Sequence, residues 1–399
     1  MNRKTNTWIF SLLVIITFVL FTSCIINADE ADKGPKVSKE TTKEKDKTAK
    51  VTKVKGQCKL FESITIEVDN LPEFLELAKN NLSNIILYLD GYPFRGLHPR
   101  HGGDPGRELT FNLLTIEEDS QTRESWNSLL GRSKLFPPTP RKVSITVGIE
   151  NHPPIDTDVR GVNNAYDLVT IDKNGFWIFL GMLVAAVVLI VWLAIKSDLL
   201  RDAGVQPEGK DDNGRPYRKT FSLGRTQMAF WFLLVIGSYV FIWMVTGVSN
   251  ILTPSVLTLI GISTATAMST TVIDGNKRKV AAGELASCTI KKAALEIDPN
   301  IGAAEKKVQL EQFDNKIQDL QKKVKPLPSK GFFVDILSDA NGISFPRFQI
   351  AGWTLVLGVI FISSVHRVLS MPDFDQQLLA LMGISSGTYI GFKFPEKQY

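Results

Sequence analysis

The two halves of this chain carry different hydrophobic patterns. In the second half, apolar runs of bilayer length alternate with short charged segments. Phe176 to Ile195 is an uncharged run of twenty residues, enough to cross a membrane as a helix. Gln227 to Thr246, Leu252 to Ile273, Phe348 to Ser364 and Leu378 to Phe394 supply four more spans, the last carrying Lys393 near its end. In the first half, Ser63-Ile64-Thr65-Ile66-Glu67-Val68 and Lys142-Val143-Ser144-Ile145-Thr146-Val147 alternate with a period of two, the signature of half-buried strands. Ile85 to Leu89, closed by Asp90-Gly91, reads as a strand entering a turn, and Leu109 to Leu113 and Leu168 to Ile171 add two more. Pro72 to Asn80 predicts a short helix. Five or more strands within about 115 residues predict a small β-sandwich of the immunoglobulin-like kind.

The apolar blocks also repeat. Ser222, Arg225, Gln227, Ala229, Trp231 and Leu233 recur 122 positions later as Ser344, Arg347, Gln349, Ala351, Trp353 and Leu355. Gly261, Ile262, Ser263 and Thr266 recur as Gly383, Ile384, Ser385 and Thr388, and the acid closing each unit is kept in kind as Asp274 and Glu396. Hydrophobicity alone would repeat Leu and Val, not this polar frame, so the pattern predicts a duplicated two-helix hairpin.

The fold class predicted is therefore a multi-domain membrane protein. It has an extracytoplasmic all-β sandwich-like domain, then an α-helical transmembrane core of one linking helix and two duplicated helical hairpins, with a cytoplasmic helical insert. Residues 1–28 read as a signal peptide: Arg3 and Lys4 precede an apolar stretch from Trp8 to Phe21. Phe21-Thr22-Ser23-Cys24 offers a lipoprotein-type exit with lipidation at Cys24, Ala28 offers ordinary cleavage, and an uncleaved anchor is the third option. Residues 29–56, rich in Lys, Glu, Asp and Thr, have too little apolar surface to offset the entropy of ordering and read as a disordered tether. The β domain follows at 57–172, the first span at 173–196, a linker at 197–221, hairpin repeats at 222–274 and 344–399, and a helical insert at 275–343. Within that insert, Leu285 to Ile297 and Ala303 to Val324 have helical apolar spacing. Gly331 to Leu337 reads as an interfacial amphipathic turn.

Charge orients the spans. Basic residues crowd the connection from Lys196 to Arg225 and are absent from the turn Gly247 to Thr253. The positive-inside rule then puts 57–172 outside, and 275–343 and the C-terminus in the cytoplasm, of a bacterial inner membrane. The net charge of +5 is spread among loops, which argues against nucleic acid as a partner. Cys58 and Cys288 fall on opposite sides in this topology, so no disulfide framework is expected. His98, His101 and Asp104 share a Pro/Gly-rich loop that reads as solvated, so no metal and no cofactor is expected.

Several repeated residues invite a role. Arg225 and Arg347 lie level with Asp274 and Glu396, predicting ion pairs across or between the hairpins in preference to an anion or lipid-headgroup site made by the two arginines. Gly261, Ser263, Thr266, Gly383, Ser385 and Thr388 fall near mid-membrane. Gly383, Gly387 and Gly391, with Gly261, Ala265 and Ser269, form small-residue stripes expected to let helices approach closely. No ionisable group lies between Trp231 and Val272, which disfavours an ion-coupled transporter. No nucleophile, base or paired carboxylate constellation stands out, so the chain is read as not an enzyme.

The stretch Leu379-Ala380-Leu381-Met382-Gly383-Ile384-Ser385-Ser386-Gly387-Thr388-Tyr389 with Gly391-Phe392-Lys393 resembles the signature of an uncharacterised bacterial inner-membrane family, as does Arg347-Phe348-Gln349 through Trp353 to Gly358. The resemblance covers the two hairpins and implies an inner-membrane location without an activity. The functional expectation is a sensor, adaptor or scaffold partnered by the lipid bilayer and an unidentified protein. The alternative is a passive channel, assembled as a homo-oligomer and lined by the repeated hydroxyls.

Overall fold

The computed structural model describes residues 49–114, 120–130, 139–150, 152–159, 166–211, 214–297, 301–325, 327–339 and 342–396. The signal and lipidation readings, Cys24 included, and residues 29–48 of the tether lie outside the described residues.

The alternating runs are strands. One sheet has the order Asp156–Thr157 (β10), Lys50–Gly56 (β1), Ser63–Asp69 (β3), Glu108–Asn112 (β7), Arg100–His101 (β6). A second pairs Tyr92–Phe94 (β5), Ile85–Leu89 (β4) and Ile145–Ile149 (β9), and a third pairs Cys58–Lys59 (β2), Tyr166–Val169 (β11) and Arg141–Val143 (β8). Period-two alternation turns Ile64, Ile66 and Val68 of β3 inward, where they share one core with Leu87 and Leu89 of β4 and Val147 of β9. The whole of β1 falls within the stretch 29–56 read as a disordered tether, so the last part of that stretch is ordered strand instead. Pairing with β3 buries Val51 and Val54.

The region is β-rich rather than all-β. The helix Leu71–Leu77 (α1) answers the predicted one. A second, Ser120–Leu130 (α2), was not foreseen because its apolar positions are sparse. Thr122, Trp126, Leu129 and Leu130 are buried at helical spacing among Ser, Arg and Glu. Trp126 packs edge-on to Phe94 with ring centroids 4.7 Å apart.

The rest is helical: Lys173–Lys196 (α3), Leu223–Thr246 (α4), Pro254–Ile297 (α5), Ala303–Val324 (α6), Phe332–Leu337 (α7), Phe345–Val368 (α8) and Gln376–Lys393 (α9). Among the described residues four helices, α3, α4, α5 and α8, are long and apolar enough to cross a membrane. The fifth expected span, α9, is helical but falls outside that set. It carries two glutamines, several Gly and Ser, and Lys393 in only 18 residues. The helix α5 runs unbroken for 44 residues across 274/275, where the sequence changes from apolar to charged. At about 1.5 Å per residue that is roughly 66 Å of helix, about twice a bilayer's hydrocarbon thickness. Its distal half pairs with α6, with Lys292 Nζ 2.6 Å from Asp314.

Helices α4, α5, α8 and α9 pack as one bundle, with α3 packed against α4. The close approaches are not at the expected stripes. A Cβ at Gly224 would lie 2.9 Å from Ala267 Cα, and one at Gly358 would lie 2.6 Å from the Phe230 ring. Gly261, Gly383, Gly387 and Gly391 face open space.

The end of α4 seats the β region. Gly247 closes the helix with φ +68°, and the Phe61 ring lies where its Cβ would be. Leu369, its equivalent 122 residues on, adopts the same left-handed cap at φ 51° and is buried with Val245 in the β region's core cluster.

Gly247→Val should lower the thermal midpoint of the detergent-solubilised chain by the equivalent of about 1–3 kcal/mol, because the added atoms overpack against Phe61 at a left-handed cap. Gly261→Ala, which meets nothing, should be neutral or stabilising by up to about 1 kcal/mol. Equal losses in the two variants would contradict these close contacts.

Candidate functional site

At the bundle end remote from the N-terminal β region, five stretches of chain converge on one cavity of about 220 Å³. They are the 197–221 connection, the middle of α5, the segment from Leu327 through α7, the short hairpin of Ser338–Asp339 (β12) and Gly342–Ile343 (β13), and the feet of α8 and α9.

The local folding of each wall has a polar cause. Arg218 donates to the carbonyl oxygens of Ile195 and Lys196, capping the end of α3 and turning the connection back under the bundle. Arg201 is buried, donates to the Lys219 carbonyl and stacks 4.1 Å over the Phe221 ring. Burial lowers its guanidinium to about 10. Asp335 ties this connection to α7. Its carboxylate accepts from Phe221 N at 3.1 Å, Ser329 Oγ at 2.6 Å and Lys330 N at 2.9 Å. Burial pushes that carboxyl above its ordinary value despite the three donors.

The helix feet carry a charge network. Arg347 Nη2 donates to Glu396 at 2.7 Å, and Lys393 Nζ lies 3.1 Å from Asp274 and 3.9 Å from Glu396. Arg347, Lys393 and Asp274 are 5–6 % exposed, so these pairs sit in a low-dielectric setting where each partner depends on the other. Lys277 Nζ donates to the carbonyl oxygens of Lys393 and Glu396, a cation at the C-terminal end of α9.

Of the residues singled out from the repeat, the structure joins Arg347 to Glu396 within one hairpin, but Arg225 does not join Asp274. Arg225 approaches the Asp198 carbonyl at 3.5 Å, and Asp274 takes Lys393 from the other hairpin. Gln227 donates to Thr354 at 3.1 Å across the hairpins, whereas Gln349 donates to Ser385 at 3.1 Å within its own. Ser263, Thr266 and Ser385 are fully buried. The first two, with Thr388, turn their hydroxyls back to carbonyls of their own helices. Trp231 is fully buried against Phe361, with ring centroids 6.3 Å apart, and Trp353 packs at the edge of the same core.

Two functional-looking groups escaped the sequence reading. Lys393, which the sequence shows only as a charge near the end of the last apolar run, is buried against Asp274. Its departure from the repeat, where Thr271 stands, was the available signal. Asp335 lay in a stretch read only for its apolar face. His101 and Asp104 flank a turn in the β region. Among the described residues no group of three His, Cys, Asp or Glu is arranged to hold a metal. Cys58 is buried, which drives its thiol up to about 12.

No protein-family model, curated protein or solved structure matches this chain. The geometry of the site therefore carries the reading by itself.

Asp274→Ala should cost about 3 kcal/mol, because buried Lys393 loses its 3.1 Å partner and keeps Glu396 only at 3.9 Å, and Asp274→Ala with Lys393→Met should recover most of that loss. Thermal unfolding of both variants in one detergent decides it, and a double variant no better than the single contradicts the pairing. Asp335→Ala should cost about 1–3 kcal/mol through its orphaned donors. A carboxyl raised on folding makes the folded state bind more protons between its unfolded and folded values, so its contribution to stability falls as pH rises through that window. Stability measured from pH 4 to pH 7 should fall less in Asp335→Ala than in the parent.

Proposed function

We propose that this chain is a non-enzymatic membrane adaptor that couples a folded region on one side of a bacterial inner membrane to a helical hairpin on the other. In this reading residues 57–172 form a sandwich-like extracytoplasmic domain, α3, α4, α5, α8 and α9 span the bilayer, and 275–343 and the C-terminus are cytoplasmic. The basic connection 196–225 supports that orientation through the positive-inside rule.

The observation that carries the proposal is the continuity of α5. One end of this helix begins beside the turn that seats Phe61, and the other forms a paired arm with α6. A helix without a break transmits tilt and rotation along its length, whereas a flexible connection would lose both. Ile290, Ile297 and Val308 are exposed on the arm and offer apolar surface to a protein partner.

The channel alternative gains no support from the mid-bundle hydroxyls. Ser263, Thr266 and Ser385 are buried and hydrogen-bonded inside the bundle rather than left for a passing ion. Reconstituted chain should therefore leave planar bilayers silent.

Under mild detergent, the intact chain should co-purify with a stoichiometric partner that is lost at least ten-fold when residues 284–325 are replaced by a short flexible linker. Impermeant thiol labelling of cysteines placed at Asn250 and Asp373 should report the same face as the β region, with Lys307 on the opposite face. Purification of the lone chain in both cases, or Asn250 and Asp373 on different faces, would overturn the adaptor reading.

A further inference from the structure

Next in sequence to the cavity residues Gly342 and Arg347 stand exposed apolar side chains. Ile343, Phe345 and Phe348 are exposed, and Phe345 and Phe348 lie in the first turn of α8, itself long and apolar enough to cross a membrane. A rim continuous with such a helix lies where hydrocarbon meets headgroups, with a polar cavity beside it.

Inside, five basic and five acidic side chains line the cavity. A purely anionic ligand would meet the carboxylates of Asp335, Asp339 and Glu396, and a purely cationic one would meet Arg278, Lys330 and Arg347. Arg347 is 6 % exposed and its Nε–H has no hydrogen-bond partner among the described residues, so one buried donor remains to be satisfied. Lys330 is exposed at the mouth. The volume of 220 Å³ equals the liquid share of about seven waters, enough for a lipid headgroup but not for acyl chains.

We propose that this cavity binds the zwitterionic headgroup of a bilayer phospholipid, a phosphate joined to an ammonium, with the acyl chains lying outside along Ile343, Phe345 and Phe348. The phosphate oxygens take the basic side chains, Arg347 Nε among them, and the ammonium takes the carboxylates. A charge-balanced wall selects this head over an anionic one because each charge on the ligand finds its opposite. The site does not depend on the adaptor reading and does not involve Arg225, which lies outside the cavity.

Native mass spectrometry of the full chain, loaded with equal amounts of phosphatidylethanolamine and phosphatidylglycerol, tests the assignment. One phosphatidylethanolamine should be retained per chain, at least five-fold above phosphatidylglycerol. Lys330→Glu and Ile343→Asp, both at exposed positions, should each reduce that retention several-fold while the lipid-free thermal midpoint stays unchanged. O-phosphoethanolamine should displace the lipid and inorganic phosphate should not. Equal retention of the two lipids, retention unchanged in both variants, or displacement by inorganic phosphate alone would overturn the proposal.

Discussion

Lys393 and Asp274 come from different hairpins and meet at 3.1 Å with almost no exposure to solvent. At an effective dielectric near 20, such a pair attracts by roughly 5 kcal/mol, about what is needed to offset the several kcal/mol that desolvating each ion costs. Shifting one hairpin against the other would break this pair at a buried site, so it favours one mutual arrangement at this end. The neighbouring groups fall into place around that constraint. Glu396 stands within reach of both Lys393 and Arg347, and Lys277 closes the end of α9 over them. At the opposite end of the bundle, neutral bonds repeat the device. Thr253 and Ser255 of the first hairpin donate to the Pro372 carbonyl, and Ser255 accepts from Phe374 N. Gln227 and Thr354 join the hairpins between these two ends.

A duplicated sequence would bond symmetrically if every partner were duplicated, and here the bonding is asymmetric. Arg347 finds the acid of its own hairpin, whereas Arg225 turns to a backbone carbonyl of the 197–221 connection. The cause is local. The second unit has Lys393 where the first has Thr271, and that added cation claims the first unit's Asp274. The first unit is also preceded by a connection carrying Arg201 and Arg218, which fold back beneath the bundle and reshape the surroundings of α4. Repetition set the frame, and single departures from it set the contacts.

Much of the architecture was legible because periodicity reports burial directly. The strands around Ile64, Leu87, Leu109 and Val147 and the four helices long and apolar enough to cross a membrane follow from alternation and apolar length. What escaped was placed by partners distant in sequence. The helix carrying Trp126 hides its buried stripe among polar residues, and its burial depends on Phe94 more than thirty positions earlier. The glycine stripe on α9 looked like a packing seam, but which face of a helix meets its neighbours is decided by the whole bundle. Here the tight approaches went to Gly224 and Gly358. Asp335 was invisible as an anchor because its three donors, from Phe221, Ser329 and Lys330, are assembled only when the connection folds onto α7.

The duplicated turn at the β end shows how one motif was put to two uses. In the first hairpin the left-handed cap is Gly247, and the missing side chain leaves the space that the Phe61 ring occupies. In the second hairpin the same cap is Leu369, which bears a left-handed backbone costing about 1–2 kcal/mol relative to a right-handed one. Its side chain is fully buried among core residues of the β region, and burying a leucine is worth about 1.5–3 kcal/mol, enough to offset that strain. One turn therefore receives a side chain from the β region and the other donates one to it. Two contacts of opposite sense resist rotation as well as separation, which a single seat would not. The β region is thus packed against both the α4–α5 and the α8–α9 turns, through Phe61 at one and Leu369 at the other.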